Sequence, residues 1–274
     1  MNIFLTASNE RYYKTRDLSI KCALKYGKFH KAIAYDIDAD IDEDFKKKNI
    51  AIFSVKRGAG LWLWKPYCIF KALNEECDEN DVLFYLDAAG FFFRSVKPII
   101  DSMQNDIYAV ALPYIEEEFT KKEAFDIMQL NQEKYTKTPQ FQASFMAFRK
   151  NAITVEFVKE WLGYAQNERL ISPEVDPALQ VPRFSSHRMD QSIFSLLCKK
   201  YNVQSHQEPT QYNFFGNTYY KGQTYIWNKT KEYPVCILLH RSSDFTSLLA
   251  KIKFVKRFIS YIIRQLIYKY EKKY

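Results

Sequence analysis

The most suggestive stretch for chemistry is VLFYLDAAG, Val82 to Gly90, because a run of apolar residues ends there on one carboxylate, Asp87. Such a run predicts a strand that is buried on both faces, as in a parallel sheet. Asp87 is then expected at the carboxyl end of the strand, where ligands bind in open α/β sheets. A charge at that place needs an ionic partner, a hydrogen bond or a metal ion. An aspartate that only caps the following turn is the alternative.

A second group precedes this strand in RGAGLWLWKP, where Arg57, Gly58 and Gly60 predict a flexible turn between a strand over Ile50–Val55 and a helix. The N–H groups at a helix N-terminus bind phosphate, and Arg57 and Lys65 would add positive charge. The spacing matches neither the P-loop nor the dinucleotide fingerprint, so the turn alone is weak evidence for a phosphate site.

Two polar clusters lie later in the chain. The first opens a helix that Ser185 or Ser186 can cap, and it consists of His187, Arg188, Asp190 and Gln191. The second follows a strand over Val235–Leu239 and consists of His240 and Arg241. The simpler interpretations are an acid that favours the helix dipole and a histidine that only satisfies the core.

These residues need a scaffold, and strands that alternate with helices predict one α/β domain over residues 1–245. The five cysteines are scattered without a paired motif, which predicts reduced, buried thiols and no zinc site. The N-terminal residues do not resemble a signal peptide, and no apolar run is long enough to span a bilayer. We therefore expect a cytoplasmic protein.

The net charge of +8 is concentrated in a tail over residues 246–274, which has eight Lys or Arg and one Glu. The remaining +1 for residues 1–245 argues against a nucleic-acid-binding body. Apolar residues in the tail recur in steps of four and three: Leu248, Ile252, Val255, Ile259, Ile262 and Leu266. This pattern predicts a basic amphipathic helix suited to an anionic membrane surface. A coiled coil or a helix packed on the domain would have the same spacing.

Four segments together resemble bacterial GT-A-fold glycosyltransferases of capsule and lipopolysaccharide biosynthesis, similar to the lipopolysaccharide galactosyltransferase and glycogenin group. They are RGAGLWLWKPY followed by DVLFYLDAAG, FQASFMAFRKN, HRMDQSIFSLL and ILLHRSSD. The resemblance spans roughly residues 1–245. It implies a GT-A-like (Rossmann-like) mixed sheet flanked by helices, to which the C-terminal helix is added.

The resemblance also implies roles for the residues. Asp190 and Gln191 would be catalytic residues that lie against the donor sugar, together with Asp87, which takes the place of the first acid of the DxD motif. The nucleotide sugar would contact Arg57, Gly58, Gly60, Lys65, Asp87 and Arg241. The sugar and acceptor cavity would be lined by Trp64, Gln142, Ser144, His187 and Arg188.

A metal site is the part of the pattern from which this sequence departs. The resemblance implies Mn²⁺ or Mg²⁺ on Asp87 and His240, but position 89 is alanine where the second acid of the DxD motif stands. The metal could survive on few protein ligands, since phosphates supply the rest. Otherwise Arg57, Lys65 or Arg241 could stabilise the leaving diphosphate without a metal.

The resemblance implies a hexosyltransferase that moves a sugar such as galactose from a UDP-sugar to a growing surface polysaccharide or lipid-linked glycan. The expected location is the inner face of the plasma membrane, with the tail as a peripheral anchor. A catalytically silent nucleotide-sugar-binding or assembly protein is the alternative, because of Ala89. Nucleic-acid binding through the tail is the third and weakest alternative, since residues 1–245 have no aromatic and basic platform.

Overall fold

The computed structural model describes residues 1–103, 105–215, 217–220, 223–226, 233–245 and 247–271. Five strands form the central sheet in the order β2-β1-β3-β8-β5. Strand β1 pairs in parallel with both β2 and β3, while β8 is antiparallel to both β3 and β5. The expected mixed sheet flanked by helices is thus confirmed.

The strands are short, and three antiparallel pairs lie outside the central sheet: β11 with β4, β6 with β7, and β10 with β9. The strands are β1 (Asn2–Ser8), β2 (Lys31–Asp36), β3 (Val82–Leu86), β4 (Gly90–Phe92), β5 (Ile107–Tyr108), β6 (Ala111–Ile115), β7 (Pro139–Phe141), β8 (Phe145–Arg149), β9 (Asn217–Tyr220), β10 (Gln223–Ile226) and β11 (Ile237–Leu239).

Helices connect the strands and cover the sheet. They are α1 (Tyr13–Cys22), α2 (Glu43–Lys48), α3 (Ile50–Phe53), α4 (Trp64–Glu75), α5 (Lys97–Asp101), α6 (Glu116–Phe119), α7 (Lys122–Ile127), α8 (Glu133–Thr136), α9 (Ala152–Ala165), α10 (Glu168–Ile171), α11 (Met189–Lys200) and α12 (Leu248–Glu271). Helix α4 packs against α9, which in turn packs against α11. These three helices hold the residues that carry chemistry against one side of the sheet.

The core has two parts because β3 is buried on both faces, as its continuous apolar run predicts. Leu83 and Tyr85 belong to one apolar cluster, which also contains residues of α4, α9 and α11. Val82, Phe84 and Leu86 belong to the other, with Phe92 and Ile237 outside the central sheet. Alternation along the strand therefore decides which side chains of β3 face the helices that carry the site.

Three local predictions differ from the structure. The predicted strand over Ile50–Val55 contains the short helix α3, in which Ile52 is buried and Ile50 is exposed. The apolar run over Phe141–Phe148 also predicts a single strand, but the structure divides this segment between β7 and β8. Helix α11 begins at Met189 instead of after a serine cap. Short apolar runs fit more than one type of element, and only long-range packing decides between them.

The C-terminal helix α12 lies on the body through one side. The Tyr261 hydroxyl donates to the Tyr212 carbonyl at 3.1 Å, and the rings of Phe254 and Phe245 lie 5.5 Å apart. Residues 246 and 272–274 of the predicted tail lie outside the described residues. Within the part of the chain that the structure describes, no helix has the length and apolarity that crossing a bilayer requires.

Candidate functional site

Asp87 lies directly after β3, at the carboxyl end of this strand as the sequence predicts. Tyr85 and Asp87 are two residues apart and therefore project from the same face of the sheet. The Tyr85 hydroxyl donates to Asp87 Oδ1 at 2.7 Å. In the following turn, the Gly90 N–H bonds to the backbone carbonyl of Asp87. The carboxylate thus contacts side chains of the site, and the turn is closed by the backbone.

A buried lysine, Lys65, joins Asp87 to Asp190 in the first turn of helix α11. Lys65 Nζ lies 3.2 Å from Asp87 Oδ1 and 3.1 Å from Asp190 Oδ2, and it donates to the Ala143 carbonyl at 2.9 Å. Lys65 is only 3 % exposed and Asp190 only 5 %. Residues from α4, the end of β3 and the first turn of α11 therefore meet at one ammonium group, which forms the centre of the site.

The ion pairs in this cluster offset the desolvation cost of burying charged side chains. Burial by itself lowers the pKa of Lys65, but the carboxylates of Asp190 and Asp87 outweigh it and raise that pKa above its usual value. Burial raises the pKa of Asp190 from 3.8 to about 6, although Lys65 opposes this effect. Asp190 is therefore a carboxylate at neutral pH that pays a desolvation cost for its charge.

Gln191, beside Asp190, is held by a buried polar network. Its Nε2 donates to Gln140 Oε1 at 2.7 Å, and its Oε1 accepts from the Ala143 N–H at 3.4 Å. Gln140 in turn donates to Glu116 Oε1 at 3.0 Å, and Glu116 forms an ion pair with Lys199 at 2.7 Å. Because Gln140 and Glu116 are fully buried and paired, the network fixes the orientation of the Gln191 carboxamide.

The predicted flexible turn is in fact a left-handed helical turn. Five successive residues, Gly58 to Trp62, have φ between +49° and +92°. Such backbone is costly for residues other than glycine and persists where the surroundings hold it in place. Trp64 helps to do so, since its Nε1 donates to the Gly58 carbonyl at 2.8 Å. The turn places Trp62 and Arg57 at the cleft.

The site opens into a cleft with two chambers that share Trp62, Asp87 and Arg241. The first chamber, of ≈ 360 Å³, lies at the carboxyl ends of β1 and β2 and is lined by Ala7, Ser8, Asn9, Arg11, Tyr12, Ile37, Lys56, Gly58, Ala59, Trp62, Trp64, Asp87, Ala88, Ala89 and Arg241. The second, of ≈ 490 Å³, is lined by Arg57, Trp62, Lys65, Asp87, Ala143, Ser144, Ser186, Arg188, Met189, Asp190, Gln191 and Arg241. Most of the residues selected from the sequence line one chamber or the other.

Gln142, His187 and Gly60 do not line either chamber. Gln142 is buried and donates to Glu208 Oε2 at 2.9 Å. His187 is buried between the Lys121 N–H, which donates to its Nδ1, and the Leu170 carbonyl, which lies 2.9 Å from its Nε2. Met189 has a left-handed backbone with φ 45°, so the chain turns between His187 and Asp190. His187 is close to Asp190 and Gln191 in the sequence, but this proximity does not bring its side chain to the cleft.

His240 lies next to the site but faces another cavity. Its backbone N–H and that of Arg241 both donate to the Ala89 carbonyl, at 3.0 and 3.1 Å. Its ring stacks on Phe245, with centroids 4.3 Å apart, and it lines a cavity of ≈ 230 Å³ beside α12. Burial lowers the pKa of His240 to about 4, so the imidazole is neutral at physiological pH.

The residues that follow β1 also belong to the site, although none of the sequence motifs includes them. Asn9, Arg11 and Tyr12 line the first chamber beside Ile37, which follows β2. The rule that ligands bind at the carboxyl ends of parallel strands, used for Asp87, applies equally to these strands. The polar residues Asn9, Glu10 and Arg11, which follow the apolar run of β1 in the sequence, would have indicated them.

Three of the solved structures that align with most of this chain are of glycosyltransferases. No family model matches the sequence, and no curated protein matches it. The galactosyltransferase LgtC, in complex with donor and acceptor sugar analogues, has 13 % identity and a TM-score of 0.47 over 95 % of this chain and 96 % of its own. Mouse xyloside xylosyltransferase 1 has 12 % identity and a TM-score of 0.43 over 87 % and 96 %. The glycosyltransferase GlyE of Streptococcus pneumoniae TIGR4 has 12 % identity and a TM-score of 0.43 over 76 % and 45 %.

Proposed function

We propose that this chain is a glycosyltransferase that moves a hexose, galactose in the first instance, from a UDP-sugar to a glycan acceptor. The observation that carries the proposal is the meeting of the two chambers at Asp87, whose carboxylate lies beside the buried ion pair of Lys65 and Asp190. A nucleotide sugar has the same division, with a nucleoside on one side of a diphosphate and a sugar on the other. The sequence motifs described above support the same class.

The first chamber suits the nucleoside. Tyr12 offers an aromatic face for a base, and Ile37 offers an apolar contact at the end of β2. Asn9 and Ser8 supply hydrogen-bonding groups of the kind that fix the position of a ribose. Arg11 and Lys56 add positive charge for the phosphates. The choice of uracil follows from the family resemblance.

The second chamber suits the sugar and the incoming acceptor. Transfer breaks the bond between the anomeric carbon and the diphosphate oxygen, and positive charge develops on the sugar ring. The ionised carboxylate of Asp190 would stabilise this charge, while the Gln191 carboxamide would orient sugar hydroxyls. Lys65 would position both Asp87 and Asp190, because it contacts both carboxylates. Arg188 and Ser186 line the same chamber and would contact the acceptor.

The proposal is tested by incubating the protein with UDP-galactose and other UDP-sugars, with an acceptor extract, and measuring the release of UDP. We expect Asp87→Asn to lower release by more than about 100-fold, because the site loses the carboxylate charge that both chambers share. Asp101→Asn is the matched control, since Asp101 is an exposed carboxylate outside the cleft, paired with Lys97. Full activity of Asp87→Asn would remove this residue from the site.

A catalytically silent nucleotide-sugar-binding protein is the second candidate, and Ala89 is the observation that favours it. Both candidates predict that UDP-sugars bind, so binding alone does not separate them. Binding by calorimetry without UDP release from any donor and acceptor would support the silent protein.

We further propose that α12 anchors the chain to the anionic inner face of the plasma membrane, where a lipid-linked acceptor would lie. The helix exposes apolar side chains on the side opposite Tyr261, among them Leu248 at 74 %, Val255 at 51 % and Ile259 at 49 %. Lys251 and Lys256 are exposed on the same helix. Apolar and basic groups together give affinity for anionic lipid surfaces.

Sedimentation with phosphatidylserine-containing vesicles tests this anchor. The variant Val255→Glu/Ile259→Glu should stay in the supernatant, whereas wild type should sediment with the vesicles. Ile153→Glu is the control, because Ile153 is 63 % exposed on α9 and lies outside α12. Equal sedimentation of all three proteins would contradict membrane binding through α12.

A further inference from the structure

The residues around Asp87 supply few ligands for a divalent cation. Position 89, where the family pattern has a second acid, contributes only a methyl group. Its backbone carbonyl already accepts the N–H groups of His240 and Arg241. Within the described residues, no group of three or more His, Cys, Asp or Glu side chains is arranged to hold a metal. A site here would thus depend on Asp87 and His240.

The hydrogen bonding of His240 does not fit a metal ligand. The Ser242 N–H donates to His240 Nδ1 at 3.1 Å, so Nδ1 carries the lone pair in the neutral ring and Nε2 carries the proton. A histidine that binds a metal through Nε2 instead has a proton on Nδ1, which it donates to an acceptor. Metal binding at Nε2 would place two N–H groups against each other at Ser242.

The carboxylate of Asp87 already has a hydrogen-bond donor and an ionic partner. Its Oδ1 accepts from Tyr85 and lies 3.2 Å from the Lys65 ammonium. Lys65 is a permanent cation at the place where the carboxylates converge, and it is buried there by the packing of α4. A divalent cation beside Asp87 would be repelled by this ammonium group.

The cleft as a whole is basic. Its two chambers are lined by six basic and two acidic side chains, a formal excess of four positive charges. The two acids, Asp87 and Asp190, are both paired with Lys65. The other basic residues are Arg11, Lys56, Arg57, Arg188 and Arg241. A site that relies on a metal to neutralise a diphosphate has no need of such an excess.

Arg241 holds the position expected of the main diphosphate ligand. It lines both chambers, at the junction where a diphosphate would lie. Its backbone is left-handed, with φ 53°, and its guanidinium lies 5.4 Å from the centre of the Tyr212 ring. Neither Arg241 nor Arg57 forms an ion pair with a carboxylate in the described part of the chain.

We infer that this site binds and releases the diphosphate of its nucleotide sugar without a divalent cation, and that Arg241, assisted by Arg57, takes the place of the metal. The inference rests on the proposed function. In the transfer step, the C1–O bond breaks and its electron pair stays on the diphosphate, which gains one negative charge. The acceptor oxygen bonds to C1, and its proton passes to solvent water. A guanidinium can stabilise the new charge with two parallel hydrogen bonds.

Calorimetry of UDP binding to the full chain tests this inference. Wild type should bind UDP with the same dissociation constant, within about two-fold, in EDTA and in Mn²⁺. Arg241→Ala should weaken binding roughly 10- to 100-fold in both buffers, the range for lost hydrogen bonds to a charged group. Arg169→Ala should not change the affinity, since Arg169 is an exposed arginine outside the cleft.

The possible failures are distinguishable. If wild type loses UDP binding in EDTA and recovers it in Mn²⁺, the metal-free site is wrong but the proposed function stands. If UDP binds in neither buffer, the proposed function is overturned together with this inference. If Arg241→Ala and Arg169→Ala bind UDP equally well, Arg241 is not the diphosphate ligand.

Discussion

Replacing Asp190 by asparagine should make the protein more stable while it lowers sugar transfer. Asp190 lies in the buried cluster with Lys65 and Asp87, and its pKa rises from 3.8 to about 6. Asparagine has nearly the shape of a protonated aspartate, so the variant resembles the protein with this group neutral. The change removes the desolvation cost of the buried charge, and Lys65 keeps Asp87 as its partner at 3.2 Å.

The size and sign follow from proton linkage. The folded state holds a proton on Asp190 more tightly than the unfolded state, so this group favours folding at low pH and this contribution is lost as the pH rises through about 6. At about pH 7.5 the charged form costs about 3 kcal/mol, at about 1.4 kcal/mol for each pKa unit. At about pH 4.5 the same calculation leaves about 1 kcal/mol.

Urea unfolding of wild type and Asp190→Asn at both pH values measures this difference. The variant should gain up to about 3 kcal/mol at the higher pH and only about 1 kcal/mol at the lower. Asp44→Asn is the control, because the Asp44 side chain is 90 % exposed. The free energy of unfolding of this variant should differ little from that of wild type at either pH. A variant that is less stable than wild type at about pH 7.5, or a gain that does not vary with pH, would refute the reasoning.

Two further substitutions test the local geometry. Gly58→Ala should lower the free energy of unfolding by more than about 2 kcal/mol in thermal denaturation, since the residue has φ +62° and its new Cβ would meet the Trp62 ring at 2.3 Å. Gly163→Ala, in helix α9 where a Cβ meets nothing within 4 Å, should instead stabilise by about 0.5–1 kcal/mol; equal effects of the two would contradict the left-handed turn. Lys65→Met should cost about 3–5 kcal/mol at neutral pH, because Asp87 and Asp190 lose their shared partner, and unchanged urea stability would show that the pairing is dispensable.

Several features of the site were accessible from sequence because they depend on local patterns. The continuous apolar run of Val82–Leu86 predicts a strand buried on both faces, and the residue that follows it must lie at the carboxyl end of that strand. Asp87 is found there. The 3.6-residue periodicity of α11 likewise predicts a helix that presents Asp190 in its first turn.

Other features depend on contacts between residues far apart in the chain. Lys65 donates to the carbonyl of Ala143, 78 positions away, and it also meets Asp190. No local pattern predicts that a lysine of the WKP segment becomes the shared partner of two acids. His187 shows the converse, since it is three residues from Asp190 but is directed to the Leu170 carbonyl.

The sequence by itself determined that Asp87 follows a buried strand and that Asp190 lies in the first turn of a helix, because the apolar pattern of each element is contained in consecutive residues. It also placed an alanine at position 89. The tertiary structure alone decided how these elements meet, because packing of α4, α9 and α11 sets distances that periodicity does not contain. It also determined which ring nitrogen of His240 carries the proton. The loop after β11 brings the Ser242 N–H to Nδ1 as a hydrogen-bond donor, and the proton therefore lies on Nε2. The case for a metal-free diphosphate site therefore rests on Ala89 from the sequence and on His240, Lys65 and Arg241 from the fold.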